Sequence, residues 1–253
     1  MKIKAFHYSS IFLVLFAAQT GYSQFTLDLE SGLVPSSPYN EIRVPGNAGT
    51  TFDLAKDLKT QQTFFYRVRA SYTFAKRHTL SVLAAPLSVK SNGTLDRNVN
   101  FNGQIFESNR PTEGIFTFNT YRLTYRYAIA NTNRFRLGVG LTGLVRDATV
   151  RLKSETQNTA FDNVGVVPLL HYNLWWNPAR RLLILSEADG SYSKFGQAFD
   201  VFVGAGYRFT PVIAAKAGYR VIQGGTNGDE AYTSTWLNLA SVGLLFTFGE
   251  KEK

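Results

Sequence analysis

Residues 120–130 read TYRLTYRYAIA, and the parity of that run constrains the chain more than any other feature. Tyr121, Leu123, Tyr125, Tyr127 and Ile129 occupy odd positions, and Thr120, Arg122, Thr124, Arg126 and Ala128 even ones. Alternate residues of a strand share a face, so a strand here sets two guanidinium groups on one side and the apolar residues on the other. The pattern recurs. In FYRVRASYTF (65–74), Arg67 and Arg69 oppose Tyr66, Val68, Tyr72 and Phe74. In FRLGVGLTGLVR (135–146), Arg136 and Arg146 oppose Leu137, Val139, Leu141 and Val145. In FDVFVGAGYRF (199–209), Asp200 and Arg208 oppose Phe199, Val201, Val203 and Tyr207. Period-two alternation from end to end makes this an all-β chain.

A soluble sandwich also alternates, with its apolar face inward, so the polar face must decide. Here it mixes Gly, Ser and Thr with Arg and Asp. That mixture suits a crowded, watery barrel interior better than a solvated outer surface, which would carry more Lys and Glu. Plentiful aromatics, 20 Phe and 13 Tyr, fit pleated surfaces. The expected architecture is a transmembrane antiparallel up-and-down β-barrel of about ten strands.

The N-terminus supports export. Lys2 and Lys4 precede a short apolar core, IFLVLFAA (11–18), and small and polar residues end at GYS (21–23). That is the order of a secretory signal peptide, and the core is far shorter than the roughly 20 residues a spanning helix needs. The expected organisation is a signal peptide at 1–23, a barrel at 24–248 and a periplasmic tail at 249–253. Without Lys2 and Lys4, the 27 basic residues fall to 25 against 18 acidic ones, a net charge of +7. An exported chain rarely meets nucleic acid, so no nucleic-acid partner is expected. The absence of cysteine excludes a lipoprotein anchor, a disulfide framework and thiolate chemistry.

Turn signals divide the barrel into strands joined alternately by short and long connections. Short ones fall at AKRH (75–78), NTNR (131–134), NPAR (177–180) and TP (210–211), and longer polar ones at 35–62, 90–112, 154–161, 190–197 and 223–233. This is the asymmetry of outer-membrane barrels, with short periplasmic turns, long extracellular loops and, for an even strand count, both termini periplasmic. Outward-parity aromatics gather near the short turns: Tyr72, Phe74, Tyr125, Tyr127, Phe135, Trp176, Tyr207, Phe209, Phe246 and Phe248. That is an interfacial girdle. Pro86 and Pro168 fall inside strands of a barrel that has no edge, so each is expected to mark a bulge.

The last strand, SVGLLFTF (241–248), alternates polar Ser241 and Gly243 with aromatic Phe246 and Phe248. It resembles the C-terminal signal read by the barrel-assembly machinery, although GEKEK follows where many relatives stop. With the leader and the alternation, the chain resembles the small outer-membrane β-barrel (porin-like) proteins of Gram-negative bacteria, and the style of its leader suggests the Bacteroidota. The resemblance implies location in the cell outer membrane, with the assembly machinery and outer-membrane lipids as partners. It implies no reaction, because fold does not fix function.

The inward-parity charges outline a lumen network: Asp28, Glu30, Arg67, Arg69, Arg122, Arg126, Arg146, Glu187, Asp189, Asp200 and Arg220, with Arg136, Arg208 and Lys216 on the same face. A barrel of this size is only slightly wider than one filled by its own side chains, and guanidinium groups suit bidentate pairing with carboxylates. The main reading is a plugged barrel with a structural or surface-interaction role through its loops, its surface ligand unknown. Replacing Arg122 or Arg126 by alanine is expected to destabilise the barrel by about a few kcal/mol, because buried carboxylates are left unpaired. One alternative is a narrow anion-favouring pore, and another a lipid- or peptide-hydrolysing enzyme. For the latter the candidate groups are Glu187, Asp189 and His171, but ion pairing explains the two carboxylates, and a lumenal hydrogen bond the histidine, more simply than catalysis does. No catalytic residue, cofactor or metal site is assigned. GGTNGDE (224–230) lacks calcium-loop spacing and reads as a flexible extracellular turn.

Overall fold

The computed structural model describes residues 23–194 and 196–249. The leader up to residue 22 and the tail beyond Gly249 lie outside them. Ten long strands alternate in direction: β1 (Gln24–Arg43), β2 (Thr63–Phe74), β3 (His78–Ala85, resuming as Ser88–Thr94), β4 (Pro111–Asn131), β5 (Phe135–Lys153), β6 (Asn158–Trp176), β7 (Leu182–Ser193), β8 (Gly196–Arg208), β9 (Ile213–Asn227) and β10 (Tyr232–Phe248). Each pairs antiparallel with its neighbours in sequence. β10 returns to β1, from Phe25↔Phe248 to Arg43↔Tyr232, and closes the barrel. Closure leaves neither β1 nor β10 as a free outer strand, as a wall facing hydrocarbon requires. No helix among the described residues is long and apolar enough to cross a membrane.

Neither proline sits in a bulge. Pro168 faces Gly143 in a β5–β6 register that runs unbroken from Phe135↔Trp176 to Lys153↔Asn158. On its other side the β6–β7 ladder has already ended at Leu170↔Gly190. Across Pro86 the β3–β4 register resumes in phase, from Ala85↔Thr120 to Ser88↔Thr117, while the β2–β3 ladder stops at Val68↔Ala84. Both prolines therefore occupy local edges, where a missing donor is tolerated, and parity is not shifted. The register shifts lie elsewhere: between Leu137 and Gly138 in β4–β5, and around Ser36 in β1–β10.

The lipid-facing band matches the alternation. Val82, Leu123, Leu141, Val166 and Leu170 are exposed on the outer wall. At the end that holds the termini, exposed aromatics form contacts along the rim: Phe25 with Phe248 at 6.4 Å, Tyr72 with Phe74 at 6.2 Å and Tyr207 with Phe209 at 5.4 Å between ring centres.

The expected connections change most at the other end. β1 runs on to Arg43, β5 and β6 are joined at 154–157, and β9 and β10 at 228–231. Only 44–62 and 95–110 remain as long loops. The stretches read as polar loops lose their outward apolar residues because the wall there faces water, yet the ladders continue. β4, β5 and β6 thus project beyond the apolar band, with Thr117, Asn119, Asp147, Arg151, Lys153 and Asp162 on the outside.

Candidate functional site

The inner face carries two tiers, one ionic and one apolar. In the ionic tier, strands on opposite walls meet through single side chains. Asp200 on β8 takes Nη2 of Arg67 (β2) at 2.9 Å, Nη2 of Arg122 (β4) at 2.7 Å and Nη1 of Arg220 (β9) at 2.6 Å. Glu187 on β7 takes both terminal nitrogens of Arg69 on β2. Asp189, only 1 % exposed, accepts from Arg122 at 2.7 Å and from the Thr142 hydroxyl at 2.8 Å, and lies 2.8 Å from Nδ1 of His171. In a ring of ten, β2 and β7 lie across from each other, and so do β8 and β3, the strand between β2 and β4. The bonds of Arg69 to Glu187, of Arg67 to Asp200 and of Arg122 to Asp189 and Asp200 therefore span the lumen, whereas Arg220–Asp200 and His171–Asp189 join neighbouring strands.

Glu30 is gripped from its own side of the barrel. Arg220 meets both its carboxylate oxygens, at 2.8 and 2.9 Å, and Lys216 bonds Glu30 and Asp28 at 2.8 Å each. Lys216 reaches Glu30 across β10 over Gly243, which faces Glu30 on one side and Lys216 on the other. A Cβ on Gly243 would lie 2.9 Å from Cε of Lys216 and 2.6 Å from the Leu29 carbonyl oxygen, so the passage needs glycine. Phe202 lies beneath both cations, its ring centre 4.9 Å from Nζ of Lys216 and 5.0 Å from Cζ of Arg220. The space among Asp28, Glu30, Arg67, Arg69, Leu83 and Arg220 is about 10 Å³, roughly what one water molecule needs.

Two of the candidate network residues take no carboxylate. Arg126 donates to the Thr79 hydroxyl at 3.4 Å, and Arg146 donates to Asn163. Arg126 lies toward the terminal end and Arg146 toward the loops. Of the C-terminal residues, Ser241 is buried inside the barrel, while Phe246 and Phe248 sit on the outer wall.

The apolar tier was not anticipated. Beyond the ion pairs, the inner face turns to Val34, Phe65, Leu87, Val89, Phe116, Val150, Leu152, Ile222, Leu237 and Leu239, all buried. Into this barrel mouth the two long loops insert their own apolar residues. Leu54 and Leu58 come from the first loop; Leu95, Val99, Phe101 and Phe106 come from the second, whose Val99–Phe101 and Gln104–Phe106 pair as a hairpin. Asp53 shapes the first loop by accepting the amides of Asn40 and Ala55, each at 2.8 Å. Gly114 on β4 is the socket for Leu54, whose Cδ2 would lie 2.3 Å from an added Cβ. Arg97 ties the loops together, bonding Asp57 at 2.8 Å and the Thr51 carbonyl at 3.0 Å. Phe52 and Phe101 meet edge to face at 5.5 Å.

The available signal for this tier was the alternation itself. In β4 the apolar residues change parity, from Tyr121 and Leu123 to Phe118 and Phe116, as the wall leaves the membrane band.

No curated protein matches the sequence. Among solved structures, the fold is similar to the transport unit of the autotransporter AIDA-I from Escherichia coli, with a TM-score of 0.46, 8% identity and coverage of 93% of this chain and 94% of that one. It is similar to the outer membrane protease OmpT from Escherichia coli, at 0.43, 12%, 89% and 97%. It is also similar to Ail, the attachment invasion locus protein of Yersinia pestis, in complex with the heparin analogue sucrose octasulfate, at 0.41, 10%, 89% and 99%. Likenesses this distant carry no conclusion about binding or cleavage by this chain. The family model for the outer membrane protein beta-barrel domain matches residues 12–248, nearly the whole chain. That match and a closed ten-stranded wall with apolar residues outside agree, and the chain belongs to the outer membrane β-barrel family.

Proposed function

We propose that the protein is a closed barrel with a structural or surface-interaction role, acting through the polypeptide beyond the membrane band rather than by passage through the lumen. The observation that carries this reading is the bonding of Asp200 by Arg67 and Arg122 from the opposite wall, with Arg220 of neighbouring β9 completing the set. The apolar tier above it argues the same way, since an ion would have to shed its water to pass there. Burial of His171 and Asp189 within the bonded set works against the hydrolytic alternative. The test is planar-bilayer recording of the refolded protein. No steady conductance is expected. A steady anion-selective current would overturn the plug and establish the narrow anion-favouring pore.

The leader pattern at 1–23 and the last strand support a wider reading that belongs to the same proposal. The chain is exported in a Gram-negative cell, of the Bacteroidota by the style of its leader. It is assembled by the barrel-assembly machinery through Ser241, Gly243, Phe246 and Phe248, and held among outer-membrane lipids. Both termini are periplasmic, so the loops at 44–62 and 95–110 face outward. Protease added to intact cells should then cut the loops and spare a C-terminal epitope; loss of the epitope would reverse the orientation.

A further inference from the structure

The two rims of the barrel differ in charge. At the terminal end four short turns follow β2, β4, β6 and β8, at residues 75–77, 132–134, 177–181 and 209–212. These turns, with Arg208 just before the last of them, hold Lys76, Arg77, Arg134, Arg180 and Arg181 and no aspartate or glutamate. Residues 250–253 add two lysines and two glutamates and leave the balance unchanged. At the loop end the signs are mixed, and cations find acids beside them. Arg97 meets Asp57 at 2.8 Å and Asp96 at 2.6 Å, and Arg110 meets Glu107 at 3.4 Å.

The basic turns are knit into one arc. The Asn131 side chain donates to the Lys76 carbonyl at 2.8 Å, the Asn177 amide to the Arg134 carbonyl at 2.7 Å, and the Arg208 amide to the Arg181 carbonyl at 2.8 Å. Each turn is thus tied to the next around the rim, from β2–β3 to β8–β9, and their charges are held side by side. Like charges gathered in this way raise the local potential, which an anion relieves.

The arc lies at the depth of lipid phosphates. Exposed aromatics of the girdle stand directly above it, among them Phe74, Phe135, Trp176 and Tyr207. Arg134 precedes Phe135 and Arg208 follows Tyr207 in the chain. Arg181, fully on the surface, donates to the Tyr207 hydroxyl at 3.2 Å, which sets its guanidinium on the outer wall. Aromatic belts mark the boundary of the hydrocarbon, and the headgroup layer beyond is roughly 5–8 Å deep. One or two residues of chain cross that depth, so these cations meet headgroups. The guanidinium fork matches the oxygens of a phosphate.

We infer that the terminal rim is a docking surface for anionic glycerophospholipids, whose headgroup phosphates it gathers from the surrounding leaflet. A zwitterionic lipid offers the same phosphate beside its own cation and is held less. The inference rests on the wall's place in the membrane, and is independent of the plug and of the side on which the termini lie.

The test is fluorescence quenching by brominated lipids, read at Trp176 on the rim itself. Of the three tryptophans, Trp175 packs against the inner cluster and Trp236 stands toward the loop end, so the quenching lost in Trp176→Phe is the rim's own signal. The protein is refolded in phosphatidylcholine vesicles holding a minor share of phosphatidylglycerol, with bromine on the acyl chains of one lipid or the other. Brominated phosphatidylglycerol is expected to quench Trp176 several-fold more than its share of the bilayer, and the excess should shrink as salt rises. Quenching that follows bulk composition would overturn the inference. Arg134→Gln, Arg180→Gln and Arg181→Gln together should abolish the excess while the barrel keeps its heat-modifiable gel mobility. An undiminished excess in that folded variant would overturn the role given to the rim. Should the triple variant not refold, Arg180→Gln alone, at an exposed turn, should lower the excess measurably, and an unchanged value counts against the rim in the same way.

Discussion

β5 obeys opposite rules at its two ends. From Leu137 to Val145 its apolar side chains look outward, and the inner face carries Arg136, Gly138, Gly140 and Thr142. From Asp147 to Lys153 the outer face is polar, and Val150 and Leu152 are buried inside. The strand has not slipped, because its register with β6 is unbroken throughout. What changes is the medium beyond the wall. Against hydrocarbon, apolar side chains are spent outside and the lumen is filled by polar groups that satisfy one another. Against water, the apolar side chains turn in and make an ordinary core. With strand parity fixed, the phase of the apolar residues reports the solvent, and its inversion marks the membrane boundary.

The two tiers should fail in different ways. Asp200→Asn leaves Arg67, Arg122 and Arg220 buried without the charge they share. Breaking such a set costs roughly 3–5 kcal/mol, because the remaining charges are stranded in the interior. Thermal or urea unfolding in detergent should show the loss as a cooperative shift of the whole barrel, visible in its heat-modifiable gel mobility. An unchanged midpoint would mean that the lumen bonds do not hold the walls.

Phe101→Ala addresses the other tier. Removing a fully buried ring costs about 3–5 kcal/mol in a packed core. Here the cost should fall on the loops, since Phe101 packs on Phe52 and within the barrel mouth. Hydrogen exchange should quicken across 44–62 and 95–110 while gel mobility stays that of the folded barrel. If the barrel loses its mobility as readily as in Asp200→Asn, the two tiers are one cooperative unit and the comparison breaks.

The sequence displayed these regions unequally. Strand number, wall parity and the inward set of charges were legible, because lipid on one face and confinement on the other force strict alternation at Arg67, Arg69, Arg122 and Asp200. The partners were not. Asp28 and Glu30 stand opposite Arg69 and Arg67 in the β1–β2 register, yet Asp28 bonds Lys216, and Glu30 is gripped chiefly by Lys216 and Arg220. Reach across a lumen depends on ring order and on clearance such as Gly243 gives, which no local pattern encodes. The apolar tier was hidden differently. Leu54, Leu58, Val99, Phe101 and Phe106 are dispersed among polar residues, and each becomes core only when a distant strand supplies the socket.

Gly114→Val tests one such socket. The new side chain would overlap Leu54 and press on Leu58. Overpacking of this kind costs about 1–3 kcal/mol, less than loss of a ring, because a loop can shift to relieve it. The variant should keep barrel mobility and show faster exchange at 53–58 than at 99–106. Equal disturbance of both segments would mean that the clasp by Arg97 couples the loops more tightly than their sockets hold them.

The smallest effect is expected at Arg126, and it sharpens the comparison within the ionic tier itself. Arg122 and Arg126 share a face of β4, but Arg122 bonds Asp189 and Asp200, both at 2.7 Å, whereas Arg126 has a 3.4 Å bond to the Thr79 hydroxyl. A long bond to a neutral acceptor contributes under about 1 kcal/mol, while deleting a guanidinium from two buried carboxylates costs about 3–5 kcal/mol. Arg126→Ala should therefore unfold close to the wild-type midpoint, and Arg122→Ala well below it. Equal losses would mean that stability follows inward charge in general and not the bonds that cross the lumen. The contrast between a contact that spans the barrel and one that lies along its wall would then lose its physical basis.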